Sequence, residues 1–452
     1  MDKRFFDREK PALPLRGIHL DLKGLPPTPK RLLQLPLLLA EAGLNCLLVE
    51  WEDTFPWQRY PFLRGKTAYS RKTVELFLRQ AQDLQIEVIP LVQSFGHLEN
   101  VLSRKVFRNL QEISGCVSDL CPCRARSREV ILHLVQDILA LHPPLKYFHL
   151  GADEVGSLGS CSECRRRVAA SGKADLYLEH LEPLFQFLHQ QGIRPIIWDD
   201  MVRSWSVSEL SRLVRQADLM CWNYAADPFH RLPHETLEKF AAAGGRLWAA
   251  SAFKGADGPY VDHASIQVRL ANMSAWVQQA RKMKMVGAIA TGWSRYNTFV
   301  SPCESLEVSL DTLVLSGKIA WDGYVPEDVS GWVSAFLNHC QKKGLPTSHF
   351  AACRQAAEKL QSWRETIFQQ SQNLLHLACL NGEVERLNPF SLRQQRQALK
   401  ENLKQGEKLL QDWVRCHRGL VPEHWLKKYA LSRMGPVRRT VTLVLQATEK
   451  IG

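Results

Sequence analysis

From Gly17 to Thr291 the chain repeats one pattern: a short apolar run, then a longer amphipathic stretch, then another apolar run. Eight runs read as strands: Gly17–Leu22, Asn45–Trp51, Glu87–Gln93, Tyr147–Gly151, Arg194–Trp198, Leu219–Asn223, Arg246–Ala250 and Val286–Thr291. Helical periodicity lies between them, over Arg71–Leu84, Ser127–Leu141, Asp175–Gln190, Ser208–Gln216, His234–Ala243 and Ser265–Lys282. Strands buried on both faces and alternating with helices specify a parallel sheet with crossover connections. Eight such units close an α/β fold of the (β/α)8 TIM-barrel class.

In a barrel of this kind chemistry sits at the C-terminal ends of the strands, so the residues after each run are the informative ones. Acids and aromatics collect there. The second run leads into Glu50-Trp51-Glu52-Asp53, the fifth into Trp198-Asp199-Asp200, the sixth into Trp222-Asn223-Tyr224 and the eighth into Trp293-Ser294-Arg295-Tyr296. The fourth ends in KYFHLGADEV, an apolar strand running through a glycine into adjacent carboxylates, Asp153 and Glu154. Two acids this close repel when both are ionised, so one is expected to be held protonated and to serve as a proton donor. The alternative is that both cap the N-terminus of the following helix. Indole faces suit the apolar face of a pyranose, while acids, amides and a cation suit its hydroxyls.

Composition narrows the class. Hydrophobic residues make up 45% and charged residues 23%, as in an ordinary globular protein. The most apolar stretch, Leu32–Leu44, is interrupted by Gln34, Pro36 and Glu41, so no membrane span is expected. The first residues carry no apolar leader, which gives an expectation of a cytoplasmic and alternatively nuclear location. Asn272-Met273-Ser274 fits a glycosylation sequon and is read as chance. The net charge of +12 is dispersed in short clusters such as Arg165–Arg167, so it reads as solvated helix surface and no nucleic-acid partner is expected.

Beyond Pro302 the pattern becomes long helical runs: Glu304–Ser316, Pro326–Lys342, Phe350–Leu375, Leu392–Arg415 and Pro422–Lys450. The expected organisation is an N-terminal extension at 1–14, a catalytic barrel at 15–301, and a C-terminal α-helical region at 302–452 packed on the barrel. Nothing in the tail's residues argues for chemistry of its own.

The strand-end residues resemble those of glycoside hydrolase family 20, the β-N-acetylhexosaminidases. His149-Leu150-Gly151-Ala152-Asp153-Glu154 is similar to the family pattern H-x-G-G-D-E, with Ala152 in place of the second glycine. That replacement implies a backbone conformation that tolerates a Cβ. Glu52-Asp53-Thr54-Phe55-Pro56 resembles the turn D-D-x-S-F-P, Gly96-His97 resembles P-G-H, and Arg16 before Asp21 resembles the first-strand arginine that grips sugar hydroxyls.

The resemblance implies an exo-acting enzyme that removes terminal β-linked N-acetylhexosamine. In the mechanism it implies, the substrate's own 2-acetamido oxygen attacks C1, Glu154 acts as general acid and then base, and Asp153 orients the acetamide. Trp198, Trp222 and Trp293 would box the acetamido methyl. Tyr224 is the first choice as donor to the acetamide oxygen, with Tyr260 and Tyr296 as alternatives. His97, His149, Glu52 and Asp200 complete the implied substrate site. The family's acid two residues after the last tryptophan is replaced by Arg295, which leaves gluco against galacto preference open. The partner implied is a glycan or glycoconjugate, with a homodimer left open, and the chemistry needs no cofactor or metal.

Two other functions fit the residues. One is a barrel glycosidase in which Glu154 pairs with a protein nucleophile or base such as Asp200, and the other is a non-catalytic barrel that binds sugar or a polyanion. Cys116, Cys121 and Cys123 on one loop, with Cys161 and Cys164 on another, have spacings compatible with a metal, a redox pair or inert packing. A four-ligand site would need the loops to meet, so inert thiols are the default reading.

Overall fold

The computed structural model describes residues 2–379 and 389–449. Met1, 380–388 and 450–452, which belong to the expected terminal regions, lie outside them. Eight strands form a closed parallel barrel in sequential order: β1 Leu15–Asp21, β2 Cys46–Glu50, β3 Glu87–Leu91, β4 Tyr147–His149, β5 Arg194–Trp198, β6 Asp218–Trp222, β7 Leu247–Lys254 and β8 Gly287–Gly292. Pairing of β1 with β8, Leu15 opposite Gly287 through Ile18 opposite Ala290, closes it.

The helices of the barrel are α1 Pro29–Leu32, α2 Leu35–Glu41, α3 Arg71–Asp83, α4 Glu99–Leu102, α5 Ala125–Leu139, α6 Ser162–Gln190, α7 Val207–Val214, α8 His234–Ala242, α9 Ile266–Lys282 and α10 Leu310–Asp322. After them come α11 Val329–Lys342, α12 Phe350–Cys379, α13 Pro389–His417 and α14 Glu423–Ala447.

Strand alternation sorts the apolar residues into two cores. Cys46, Leu48, Ile89, Leu91, Ile196, Trp198, Met220, Trp248 and Ile289 fill the barrel interior. Their neighbours Leu47, Val49, Phe148, Ile197 and Leu219 face outward and pack with α3, α5, α6 and α7. A third cluster, including Leu360, Trp363, Leu399, Trp413, Trp425 and Tyr429, joins α12, α13 and α14.

Several element ends differ from the sequence reading, each for a local reason. β4 stops at His149 because Gly151 adopts φ 61°, outside the strand region. β7 runs on to Lys254 because, past a bulge at Ala252/Lys254, it keeps pairing with β8. α6 starts at Ser162 and is broken at Gly172, with φ 90° and ψ 165°, so the periodic stretch from Asp175 is its second half. α10 is buried along its whole length and packs on β1, β7 and β8, so the helix of the eighth unit lies beyond residue 301. The N-terminal segment is held against it: the Asp7 and Arg8 N–H groups donate to Asp322 Oδ1 at 3.0 Å.

No helix among the described residues is long and apolar enough to cross a membrane. Asn272 is fully buried and its amide donates to the Asn223 and Ala225 carbonyls, so the sequon is structural.

Candidate active site

The acidic pair sits on a strained turn at the C-terminal mouth of the barrel. Gly151 (φ 61°), Ala152 (φ 66°) and Glu154 (φ 49°) all occupy left-handed backbone, which costs a non-glycine residue about 1–2 kcal/mol. Ala152 therefore does not sit in a conformation that suits a Cβ, contrary to the sequence reading; the surrounding contacts hold it there. Tyr177 on α6 donates its hydroxyl to Ala152 O at 2.8 Å, and the Glu154 N–H donates to Asp200 Oδ2 at 2.9 Å. From β3's loop, Gly96 lies so close that a Cβ on it would stand 2.2 Å from Asp153 O. A Cβ on Gly151 would stand 1.9 Å from Gln93 Oε1. Since α6 begins at Ser162 with Cys161 as its N-cap, the pair does not cap a helix.

His97, itself at φ 54°, bridges the two acids: its Nε2 lies 3.3 Å from Asp153 Oδ2 and 3.2 Å from Glu154 Oε2. Burial alone would lower its pKa, but the Asp153 charge and the hydrogen bonds to both carboxylates raise it well above the usual imidazole value. The shift favours the imidazolium form of His97. Its hydrogen bond in turn holds the half-exposed Glu154 below the ordinary carboxylate range. The expected mutual repulsion within the pair is therefore absorbed by a shared cation. A neighbouring carboxyl, Asp200, does rise, pushed to about 7 by burial and by the Asp153 charge.

Around the pair, Trp198, Trp222, Tyr224, Trp293 and Tyr296 line a pocket of about 250 Å³ with Lys23, Gln93, His97, Gly255 and Ala256. Trp222 stacks on Tyr224 at 5.2 Å and 25°, and Trp293 lies 5.9 Å from Trp198 and 6.4 Å from Tyr224. Among the described residues, the Trp198 indole N–H and Asp153 Oδ1 are buried without a hydrogen-bond partner, and the Trp293 indole N–H faces the Tyr224 hydroxyl. A pocket with apolar faces, a free indole donor and a free carboxylate oxygen suits an uncharged amide carried on a ring with an apolar face.

The other sequence candidates lie outside the pocket lining. Asp200 lies behind the pocket, accepting from Glu154 N and, at 3.4 Å, from Trp222 Nε1. His149 is fully buried beneath it, its ring 4.5 Å from Trp198. Glu52, pushed to about 8 by burial, borders a smaller adjoining cavity with Glu50, Gln93 and His97. Tyr260 is exposed and lies outside the pocket.

Arg16 is a correction. It lies at the start of β1, at the floor of the barrel, where its guanidinium donates to the Gly43, Leu13 and Pro14 carbonyls and stacks 4.8 Å over Trp321. Seven residues on, beyond the other end of β1, Lys23 supplies the pocket's cation instead. Its Nζ lies 2.7 Å from Glu50 Oε2 and 3.0 Å from Asp21 Oδ2, and 5.0 Å from the Trp293 ring centre. A basic residue just past the strand end, in HLDLKG, is the signal that sequence reasoning passed over. Arg295 turns from the pocket, donating to Thr298 O at 2.8 Å and stacking over Trp425 of α14.

The family model described as "Glycosyl hydrolase family 20, catalytic domain" matches residues 50–297. Hexosaminidase D from Bos taurus is 34% identical over 334 residues, covering 72% of this chain and 96% of that protein. Hexosaminidase D from Homo sapiens is likewise 34% identical, over 72% of this chain and 69% of that protein. Among solved structures, the chitobiase of Flavobacterium johnsoniae superposes with a TM-score of 0.57 at 12% identity, covering 97% of this chain and 73% of that one. The β-N-acetylhexosaminidase of Bacteroides fragilis gives 0.55 at 17% identity, covering 74% and 71%.

Proposed function

As this chain belongs to glycosyl hydrolase family 20 and is a β-N-acetylhexosaminidase, we propose that it releases a terminal β-linked N-acetylhexosamine by substrate-assisted retaining catalysis. The observation that carries the mechanism is Asp153 Oδ1, buried at the pocket wall with no donor among the described residues, while Oδ2 of the same carboxylate faces His97. A substrate acetamide N–H is the donor that completes it. Holding the acetamide against the tryptophan and Tyr224 rings directs its oxygen at C1, and Asp153 then stabilises the positive charge that grows on the amide as the oxazolinium ring closes. Glu154 protonates the leaving oxygen and afterwards takes a proton from the attacking water. The small pocket, sized for one sugar unit, supports exo action.

A mechanism with Asp200 as nucleophile is disfavoured by its setting: both oxygens accept hydrogen bonds from the site's own frame, and burial beside the Asp153 charge pushes its carboxyl up to about 7, away from the ionised form a nucleophile needs. All twelve cysteines are free, which supports a reducing compartment and hence our reading of a cytoplasmic or nuclear enzyme.

The deciding experiment pairs gluco- and galacto-configured aryl β-N-acetylhexosaminides with a thiazoline mimic of the cyclised intermediate. We expect hydrolysis and tight competitive inhibition by the thiazoline, because a transition-state-like shape is bound best. Hydrolysis without thiazoline affinity would move the nucleophile from the substrate to the protein.

A further inference from the structure

The loop after β3 and the start of α6 meet in a partly buried cluster of thiols, none of which lines the pocket. Cys121 Sγ lies 3.8 Å from Cys161 Sγ and 3.6 Å from Cys164 Sγ, and Cys164 Sγ lies 3.3 Å from Glu112 Oε2. One ligand atom from each of Glu112, Cys121, Cys161 and Cys164 falls within 4.8 Å of all the others. A tetrahedral zinc ion with bonds of about 2.3 Å to sulfur sets its sulfurs about 3.8 Å apart, the tetrahedral edge being ~1.6 bond lengths. The spacing here is that of the edge, and too long for a disulfide.

The carboxylate is oriented for the same task. Glu112 Oε1 accepts the Ser160 and Cys161 N–H groups at 2.8 and 2.9 Å, which leaves Oε2 turned toward the thiols. Supporting hydrogen bonds of this kind fix the ligands of metal sites. Cys161 is the N-cap of α6 and its sulfur accepts from Cys164 N at 3.3 Å, which fixes its position beside the other thiols.

We propose that Cys121, Cys161, Cys164 and Glu112 bind one zinc ion in a closed, structural site, with Cys123, 3.2 Å from Cys164, as an adjacent thiol outside the ligand set. The site clamps the two loops that carry the catalytic turn. Asp119, between Glu112 and Cys121, accepts from both the N–H and the hydroxyl of Ser157 at 2.8 Å, three residues past Glu154. Sequence alone favours inert thiols because it cannot show that the two loops converge.

The test measures the metal content of the full chain purified without chelator, then titrates the reduced, chelator-stripped chain with Zn²⁺ and with Co²⁺. We expect one zinc per chain and a single cobalt site with a thiolate charge-transfer band. Cys161→Ser and Cys164→Ser should each weaken zinc by more than about a hundredfold, beyond what loss of an outer partner does. Cys123→Ser should retain one zinc, as should Cys416→Ser in the separate Cys353/Cys416/His417 group. Should the serine variants misfold, the cobalt spectrum of the unaltered chain decides. Failure of the reduced chain to take up stoichiometric metal, or full occupancy in Cys164→Ser, would overturn the site. Loss of zinc in Cys123→Ser would overturn the ligand set.

Discussion

A general acid held ionised by a neighbouring imidazolium must take its proton from that neighbour, and at this site the proton sits on His97. His97 and Glu154 share a hydrogen-bonded proton beside Asp153, so the activity limbs belong to the cluster. With His97 raised well above the usual imidazole value, the cluster keeps its proton through neutral pH. A sugar in the pocket covers the exposed Glu154 carboxyl, and desolvation then drives the proton onto it. In His97→Asn the proton must reside on Glu154 alone, whose pKa is that of a carboxylate. The alkaline limb of kcat/KM should therefore move to lower pH by at least about one unit, with activity at pH 7 falling and activity near pH 5 better preserved. A pH–rate series measures this, and an alkaline limb unmoved by the substitution would remove His97 from the proton's path. Asp153→Asn probes the other half of the cluster. It keeps the shape but loses the charge facing the acetamide, so kcat should fall by about 10²–10³-fold. A change confined to KM would contradict the transition-state role.

The turn after β4 shows how elements divide the work of holding strain. Gly96 belongs to the loop after β3, yet its missing Cβ is what lets that loop rest on Asp153 O. Gly96→Ala has no room at 2.2 Å, so the turn must shift by several tenths of an ångström or more. Displacement of that order at a reacting group can cost up to about 10²-fold in rate. We expect kcat of Gly96→Ala to drop tenfold or more with the circular dichroism spectrum unchanged; wild-type kcat would show that the turn is held by α6 and Asp200 without this contact. The barrel itself is legible in the sequence because strands buried on both faces leave uninterrupted apolar runs such as CLLVE and RPIIW. The acidic pair and the tryptophans are legible because polar and aromatic residues at strand ends have few structural uses. Less legible is that Lys23, and not the Arg16 that the resemblance suggested, is the cation on the pocket wall; its place just past the first run is the one hint. Nor is the left-handed backbone at Ala152 visible, because tertiary contacts from Tyr177 and Asp200 hold it against its own preference. The first half of α6, before the break at Gly172, is not legible either, since helical periodicity begins only at Asp175.

Taken as a whole, the molecule uses its C-terminal helices to grip the rim of the barrel. The loop between β7 and α9 begins with Gly255 and Ala256 on the pocket wall and ends near Asp262, which is completely buried. Asp262 Oδ1 accepts from Arg433 Nε at 2.6 Å and from the Tyr429 hydroxyl, both on α14, and Oδ2 accepts from Arg364 of α12 at 2.7 Å. Arg433 also donates to Val261 O at 3.1 Å and to Pro302 O at 2.9 Å, so one side chain of α14 ties the loops after β7 and β8 together. Near the neighbouring rim, Trp425 donates to Thr67 Oγ1 at 3.0 Å. This arrangement gives the tail a positioning task without chemistry of its own. Removing the carboxylate in Asp262→Ala strands a fully buried guanidinium, and breaking a buried pair by deleting one partner costs about 3–5 kcal/mol. Chemical denaturation should register that loss. Because the same deletion frees the loop that walls the pocket, KM should rise severalfold while kcat, set by the turn after β4, changes less. Arg364→Gln removes the less buried of the two cations and should give a smaller shift of the same kind. Asp262→Ala with unaltered stability would show that the tail adheres through its apolar cluster alone; lost stability with unaltered KM would show that the loop keeps its shape without α12 and α14.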